Sequence, residues 1–104
     1  MKLGRVVGTV VSTQKDEKIE GLRLYVVRDL SMGLSDKDSF VIAADTVGAG
    51  VGEVVLYASG SSARQTRGTE GRPIDASIMA IVDQLDVDGV DVYDKHADAI
   101  AEMS

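Results

Sequence analysis

Residues 40–59 read FVIAADTVGAGVGEVVLYAS, two short apolar runs on either side of a glycine-dense turn. The β-branched and aromatic composition of the runs predicts strands at residues 40–45 and 53–59. The glycines of residues 46–52 do not match a dinucleotide-binding loop, because a strand follows them and no helix N-terminus is available for a pyrophosphate. We interpret them as backbone positions that need unusual dihedral angles or that allow a neighbouring chain to approach closely.

Three further strands are predicted on the two sides of this segment. Residues 3–13 are rich in Val and Thr, and their internal glycines predict a bend. Residues 22–29 predict a second strand, and residues 74–87 contain a fifth, centred on residues 77–82. The polar connections are residues 14–21, 31–39 and 60–73, the last with room for one short helical turn. Five short strands separated by turn signals predict a small closed or nearly closed β-barrel.

Composition excludes several classes of protein. The chain has 104 residues, which suits one domain, and it has no cysteine, so disulfides and thiolate sites are excluded. Its formal net charge of −6 disfavours a binder of nucleic-acid backbone. The N-terminus lacks the apolar stretch of a signal peptide, and no run approaches the roughly 18 apolar residues of a membrane span. We therefore expect a soluble cytosolic protein.

Several predicted strands are apolar on both faces, as in residues 54–57, VVLY, and residues 78–82, IMAIV. A lone small barrel would carry polar residues on its outward face. Cover by another copy of the chain is the favoured explanation. The alternative is cover by the loops and by a short C-terminal helix, which the alanines and charged spacers from Asp94 onward predict.

The sequence offers little catalytic chemistry. His96 is the only histidine and is interpreted as a surface residue. Residues 60–64, GSSAR, resemble the start of a nucleophile elbow, but Arg64 replaces its closing glycine and no triad histidine is evident. An anion site at Arg64 is the functional alternative, and hydrogen bonds across a subunit boundary are the favoured one. The acidic run at residues 83–94 fails as a calcium loop, since Lys95 stands where the bidentate Glu belongs, and is interpreted as a solvated edge.

Taken together, the segments resemble the pentameric vertex proteins of bacterial microcompartments, the EutN/CcmL family. The matching stretches are residues 1–15 (MKLGRVVGTVVSTQK), 21–24 (GLRL), 43–56 (AADTVGAGVGEVVL), 60–64 (GSSAR), 73–76 (PIDA) and 80–83 (AIVD). Their order and spacing hold from residue 1 to about residue 87. The combination of residues 45–53 with GSSAR is the specific part of the match.

The resemblance implies a five-stranded, OB-like barrel at residues 1–87. Residues 88–104 depart from the familiar pattern, and we interpret them as a tail of the same domain, with a short helix predicted from Asp94 onward. It implies a homopentamer that closes the vertices of a polyhedral shell in the cytoplasm, among hexameric or pseudohexameric shell proteins. The family implies no catalytic residues, no cofactor, no metal, no nucleic acid and no membrane. We hypothesise that the subunit interface or axial pore is formed by two groups of residues: Val47, Gly48, Ala49, Gly50, Gly52 and Glu53, and Ser61, Ser62 and Arg64.

Two other functions compete with this one. An OB-type module could bind single-stranded nucleic acid or another ligand, but four aromatic residues and a negative charge are poor material for base stacking and phosphate binding. A small enzyme could use a site between subunits around Arg64, but no convincing base or nucleophile accompanies that residue.

Overall fold

Within residues 1–13 and 15–95, the part of the chain that this computed structural model describes, the backbone forms seven β-strands. They are β1 (Lys2–Val10), β2 (Arg23–Leu30), β3 (Asp36–Asp45), β4 (Val54–Ser59), β5 (Ala76–Ile81), β6 (Gln84–Val87) and β7 (Val90–Asp94). Two short 3₁₀ helices, Glu17–Ile19 and Gly60–Arg64, lie in the connections.

The first five strands close into a barrel in the order β1-β2-β3-β5-β4, and β1 pairs with β4 to complete the circle. All neighbours are antiparallel except β3 and β5, which run parallel. A register shift between Val6 and Gly8 marks the bend of β1. The predicted five-stranded, OB-like barrel is confirmed, including the short helical turn after β4.

The boundaries of β3 differ from the prediction, which began this strand at residue 40. The strand begins at Asp36, because Leu30 of β2 pairs with Asp36 and extends the β2–β3 hairpin. The four added residues are all exposed, so pairing and not burial places them in the sheet. Their polar character is why the sequence predicted a connection there.

The barrel interior holds one apolar core. Its buried members come from all five strands and from the loop before β4: Val6, Tyr25, Val27, Ala43, Ala49, Val55, Tyr57, Ala76 and Ile78. Val55 and Tyr57 alternate in β4 with Val54 and Leu56, which belong to a second apolar cluster outside the barrel. The two clusters account for the continuous apolar run of β4.

A hairpin of β6 and β7 builds this second cluster. Its turn is Asp88–Gly89, with φ angles of 52° and 76°, a two-residue turn of the left-handed kind that suits strand twist. The sequence placed the start of the predicted helix at Asp94 and predicted no strand directly before it, whereas residues 90–94 form β7. Asp94, the predicted start of the helix, is the last residue of that strand. His96 and the rest of the predicted helix lie outside the described residues.

The hairpin covers the outer side of β4 and of the start of β1. Tyr93 is buried with Leu3, Leu30 and Val54, and Leu85 packs against them. The expectation that another copy covers this face is therefore wrong for β4, since the chain covers it itself. Apolar side chains remain exposed on other strands: Val7 at 42%, Phe40 at 55% and Ile42 at 47%.

The close packing of β1 on β2 depends on Gly4. A Cβ atom added there would lie 2.4 Å from Val27 Cγ1 and 3.0 Å from the Arg28 carbonyl oxygen, so backbone or core must shift. We predict that Gly4→Ala lowers the free energy of unfolding by about 1–3 kcal/mol, the usual range for overpacking a core. Urea unfolding of the wild type and the variant at one fixed protomer concentration measures this loss of free energy.

Gly8→Ala is the matched control in the same strand. The nearest atoms to its added Cβ belong to Val26 at 3.8 Å, an ordinary contact. Equal stability of the two variants would contradict the packing described for Gly4.

Candidate assembly surface

The loop of residues 46–53 joins β3 to β4 and holds most of the predicted site residues. Gly48 and Gly52 have φ angles of 82° and 94°, in the left-handed region that favours glycine. A Cβ added at either would meet no atom within 4 Å, so the dihedral angle and not crowding inside the subunit requires glycine. The prediction of unusual dihedral angles is confirmed at these two positions. Close approach of a neighbouring chain stays a prediction.

The middle of the loop is anchored in the barrel by one buried hydrogen bond. Tyr25 on β2 donates its hydroxyl to the Ala49 carbonyl oxygen at 2.8 Å, and both residues are buried. Ala49 belongs to the barrel core. An unpaired carbonyl at this depth would cost about 1–3 kcal/mol, so Tyr25 fixes the path of the loop over the barrel end.

The end of the loop is tied to β1 by backbone hydrogen bonds. Gly52 N–H donates to Val6 O at 2.7 Å, and Val6 N–H donates to Glu53 O at 3.0 Å. The Arg5 guanidinium donates to Gly52 O at 2.9 Å. These bonds continue the β1–β4 ladder, so residues 52–53 are held as firmly as the strand that follows.

Glu53 turns its side chain back into the loop. Its Oε1 accepts from Gly50 N–H at 2.7 Å, and its Oε2 forms an ion pair with Lys95 Nζ. The hydrogen bond from Lys95 lowers the pKa of Glu53, burial acts in the opposite direction, and the Gly50 amide lowers it further. The hydrogen bond that Lys95 donates to Glu53 likewise raises the pKa of Lys95. Glu53 thus joins the loop to the residue directly after the hairpin.

The 3₁₀ turn Gly60–Arg64 carries the second group of predicted residues. Gly60 has a φ angle of 66°, and its N–H donates to Asp75 O at 2.8 Å. Ala63 is fully buried, which holds the turn against the barrel, while Ser61 and Ser62 are exposed. Arg64 is also exposed and donates to the Ile74 carbonyl oxygen at 3.0 Å. Within the subunit, Arg64 therefore holds the segment that leads into β5 in place through this hydrogen bond.

The structure does not bring the two predicted groups together. Val47, Gly48, Ala49, Gly50, Gly52 and Glu53 precede β4, whereas Ser61, Ser62 and Arg64 follow it. The six residues of β4 separate the groups by on the order of 20 Å. They belong to two surfaces at opposite ends of one strand.

Sequence reasoning missed two features, a polar contact inside the subunit and a β-hairpin. Asp29 accepts hydrogen bonds from Ser39 and from the buried Tyr57. Burial raises the pKa of Tyr57, and the neighbouring Asp29 carboxylate raises it further. The other feature is the β6–β7 hairpin, which the Asp88–Gly89 pair between apolar residues could have indicated.

Across residues 1–13 and 15–95, no three acidic, His or Cys side chains are grouped to hold a metal ion. No helix in that part of the chain is long and apolar enough to cross a membrane.

Comparison with known proteins gives consistent matches along the chain. The family model described as "Ethanolamine utilisation protein EutN/carboxysome" matches residues 1–83. The carboxysome shell vertex protein CcmL of Synechococcus elongatus is 43% identical over 95 residues, which are 91% of this chain and 96% of that protein.

Solved structures give the same result. The structure of Gloeobacter violaceus CcmL has a TM-score of 0.89 and 41% identity, and the match covers 92% of this chain and 99% of that one. The GrpN pentameric microcompartment shell protein from Rhodospirillum rubrum has a TM-score of 0.74 and 45% identity, over 84% of this chain and 98% of that one.

The contacts of Glu53 predict a pH-dependent contribution to stability. An ionised Glu53 stabilises the fold fully above the carboxyl's ordinary pKa of 4.5, and this is lost as the pH falls through its lowered folded pKa. We predict that Glu53→Gln unfolds at lower urea concentration than the wild type at pH 7, and that the difference shrinks in acid.

Urea titrations from pH 7 to pH 3 at one protomer concentration measure this difference. Lys95→Met is the matched control, because it removes the partner and leaves the Gly50 bond. A difference between wild type and Glu53→Gln that stays constant down to pH 3 would show that ionisation of Glu53 is not its source.

Proposed function

This chain belongs to the EutN/CcmL family, whose model matches residues 1–83, and from that membership we propose that it is a structural protein of a bacterial microcompartment shell. Five copies form a ring, and the ring closes a vertex of the polyhedral shell. The observation that carries the proposal is similarity over nearly the whole chain to proteins named as shell vertex proteins, one of them named as a pentamer.

The exposed surface of the subunit supports assembly. Val7, Phe40 and Ile42 leave apolar side chains on the outside of β1 and β3, although the hairpin covers β4. A small monomer gains by burying such residues against further copies. An alternative OB-type binding module gains no support from the relatives, whose names describe shell vertices.

The site residues predicted from sequence fit this role as contact surfaces. We propose that the loop from Val47 to Glu53 faces a neighbouring subunit or the ring axis, where Gly48 and Gly52 have open space around them. On this proposal Ser61, Ser62 and Arg64 form polar contacts to a neighbour. The remaining N–H groups of Arg64 are suited to that, since its bond to Ile74 uses one donor of five.

A role at a shell vertex determines which proteins would surround the ring and whether the ring needs a catalytic step. Tiles with six-fold symmetry can cover a flat facet but cannot close a corner, whereas a five-fold ring supplies the closure. We propose hexameric or pseudohexameric shell proteins as the neighbours of the ring. The protein has no catalytic step of its own on this proposal, in line with the structural role that its relatives' names give them.

The mass of the native protein tests the ring. Five copies of the 11.0 kDa chain give a particle of about 55 kDa, whereas a generic homo-oligomer would form dimers or tetramers. Native mass spectrometry or light scattering after size exclusion should give the five-fold mass. A stable monomer or dimer at micromolar concentration would refute the proposed function.

The same measurement on Arg64→Ala tests the interface role of that residue. We expect the variant ring to dissociate at higher protomer concentration than the wild type, while the barrel stays folded by circular dichroism. Val11→Ala, a change at an exposed residue after β1, is the control and should leave the ring intact. A ring of unchanged stability in Arg64→Ala would remove Arg64 from the interface.

A further inference from the structure

This inference rests on the proposed ring and concerns the contact that builds it. A closed ring joins each subunit to the next through two different surfaces, one of which receives the other. The described part of the chain carries two surfaces that are complementary in charge and that both have an apolar centre. They lie near the two ends of β5.

The first surface is an apolar groove of about 170 Å³ at the start of β5. Its apolar lining comes from four elements: Ile19, Leu24, Ile42 and Ile74, with Ala44, Pro73 and Ala76 around them. Ile42 is 47% exposed, although it lies in the middle of β3. The groove thus leaves apolar surface open to water at a place where the strands are well paired.

Cations border this groove. Lys18, Arg64 and Arg72 line an adjoining depression of about 300 Å³, which shares Pro73 with the groove. Arg64 donates to Ile74 O and Arg72 to Glu20 O, so one bond positions each guanidinium and its other donors remain for a carboxylate. Asp75 is the acidic residue among the lining of the groove. Three cations at one place stand out in a chain of net charge −6.

The second surface is the tip of the β6–β7 hairpin. Val90 at the tip is 63% exposed, and two exposed carboxylates lie near it along the hairpin, Asp86 in β6 and Asp88 in the turn. The base of the hairpin is fixed, because Tyr93 is buried in the second apolar cluster and Lys95 N–H donates to Asp83 O at 2.9 Å. The tip therefore carries an exposed apolar side chain with acidic residues beside it, and the base of the hairpin is held against the barrel.

The placement of the two surfaces favours contact between subunits. The groove residues Ile74 and Ala76 stand at the beginning of β5, and the hairpin begins three residues after its end. The six residues of β5 extend over on the order of 20 Å, so the groove and the base of the hairpin lie at opposite ends of that strand. An apolar centre with a charged border is also the usual anatomy of an interface.

We propose that the hairpin tip of each subunit inserts into the groove of the next copy around the ring. Val90 fills the groove between Ile42 and Ile74, and Asp86 and Asp88 meet Lys18, Arg64 and Arg72. The contact is head-to-tail, so it repeats from copy to copy and closes when the ring is complete.

Disulfide trapping tests this contact directly, because the chain has no cysteine of its own. In the double variant Val90→Cys with Ile42→Cys, the new thiols of adjacent copies should come within the short reach of a disulfide. Mild oxidation should give a ladder of covalent species up to five copies on a non-reducing gel. Each single variant, and Val90→Cys combined with Met32→Cys, an exposed residue outside the groove, should give no ladder.

Charge exchange provides a second, independent measurement. Asp86→Lys with Asp88→Lys, and separately Lys18→Glu with Arg72→Glu, should each eliminate the 55 kDa particle that the wild type is expected to form. All four changes in one chain should restore the particle, because the borders are again complementary. Asp36→Lys with Asp38→Lys, two exposed acids on β3, is the control of equal charge change and should keep the ring.

The outcomes separate the inference from the proposed function. A wild-type protein that forms no pentamer refutes the proposed function itself. A wild-type pentamer with no trapped ladder overturns the hairpin contact and leaves the ring standing. A variant that carries all four charge changes, folds and stays monomeric also overturns the hairpin contact. A trapped ladder together with restored assembly supports it.

Discussion

Strand β5 is the element on which the rest of the architecture depends, because it closes the barrel by pairing with β4 on one side and β3 on the other. The parallel pairing with β3 involves two registered pairs, Ala44 with Ser77 and Asp45 with Ile78. Small side chains at Ala43, Ala44 and Ala76 are buried at this junction, which lets the strands approach. Parallel neighbours need a long connection, and here residues 46–75, which include β4, join the end of β3 to the start of β5.

This closure sets where the functional surfaces lie. The connection from β4 to β5 carries the GSSAR turn and the arginines to one end of β5, and the hairpin continues from the other end. The loop of residues 46–53 lies at the start of β4, held by Tyr25 and by the ladder with β1. A subunit built in this way offers different surfaces at different ends. That asymmetry is what a cyclic ring needs, in contrast to a two-fold dimer, which uses one surface twice.

The sequence predicted the barrel because local residue patterns identify its strands. Runs such as residues 54–57, VVLY, are apolar and rich in β-branched and aromatic side chains, and glycines lie before and after them in the chain. It missed β7, since Asp91 and Asp94 interrupt the apolar residues and the burial of Tyr93 against Leu3 depends on a contact some 90 positions away along the chain. The start of β3 was missed for a related reason: the polar residues 36–39 enter the sheet through pairing with β2. In the site, the left-handed glycines could be predicted from their density. The partner of Glu53, Lys95, lies 42 residues away and depends on topology that no local pattern contains.

Reconstitution of a shell from its components measures whether this chain closes the corners. Hexameric tile proteins of a microcompartment are co-expressed with and without this chain, and the particles are imaged by electron microscopy. With the chain present, we expect closed polyhedral particles that carry five-fold density at their vertices. Without it, the tiles should form open sheets, tubes or particles with gaps at the corners. Closed particles that form equally well without the chain, or vertices that exclude it, would contradict the account.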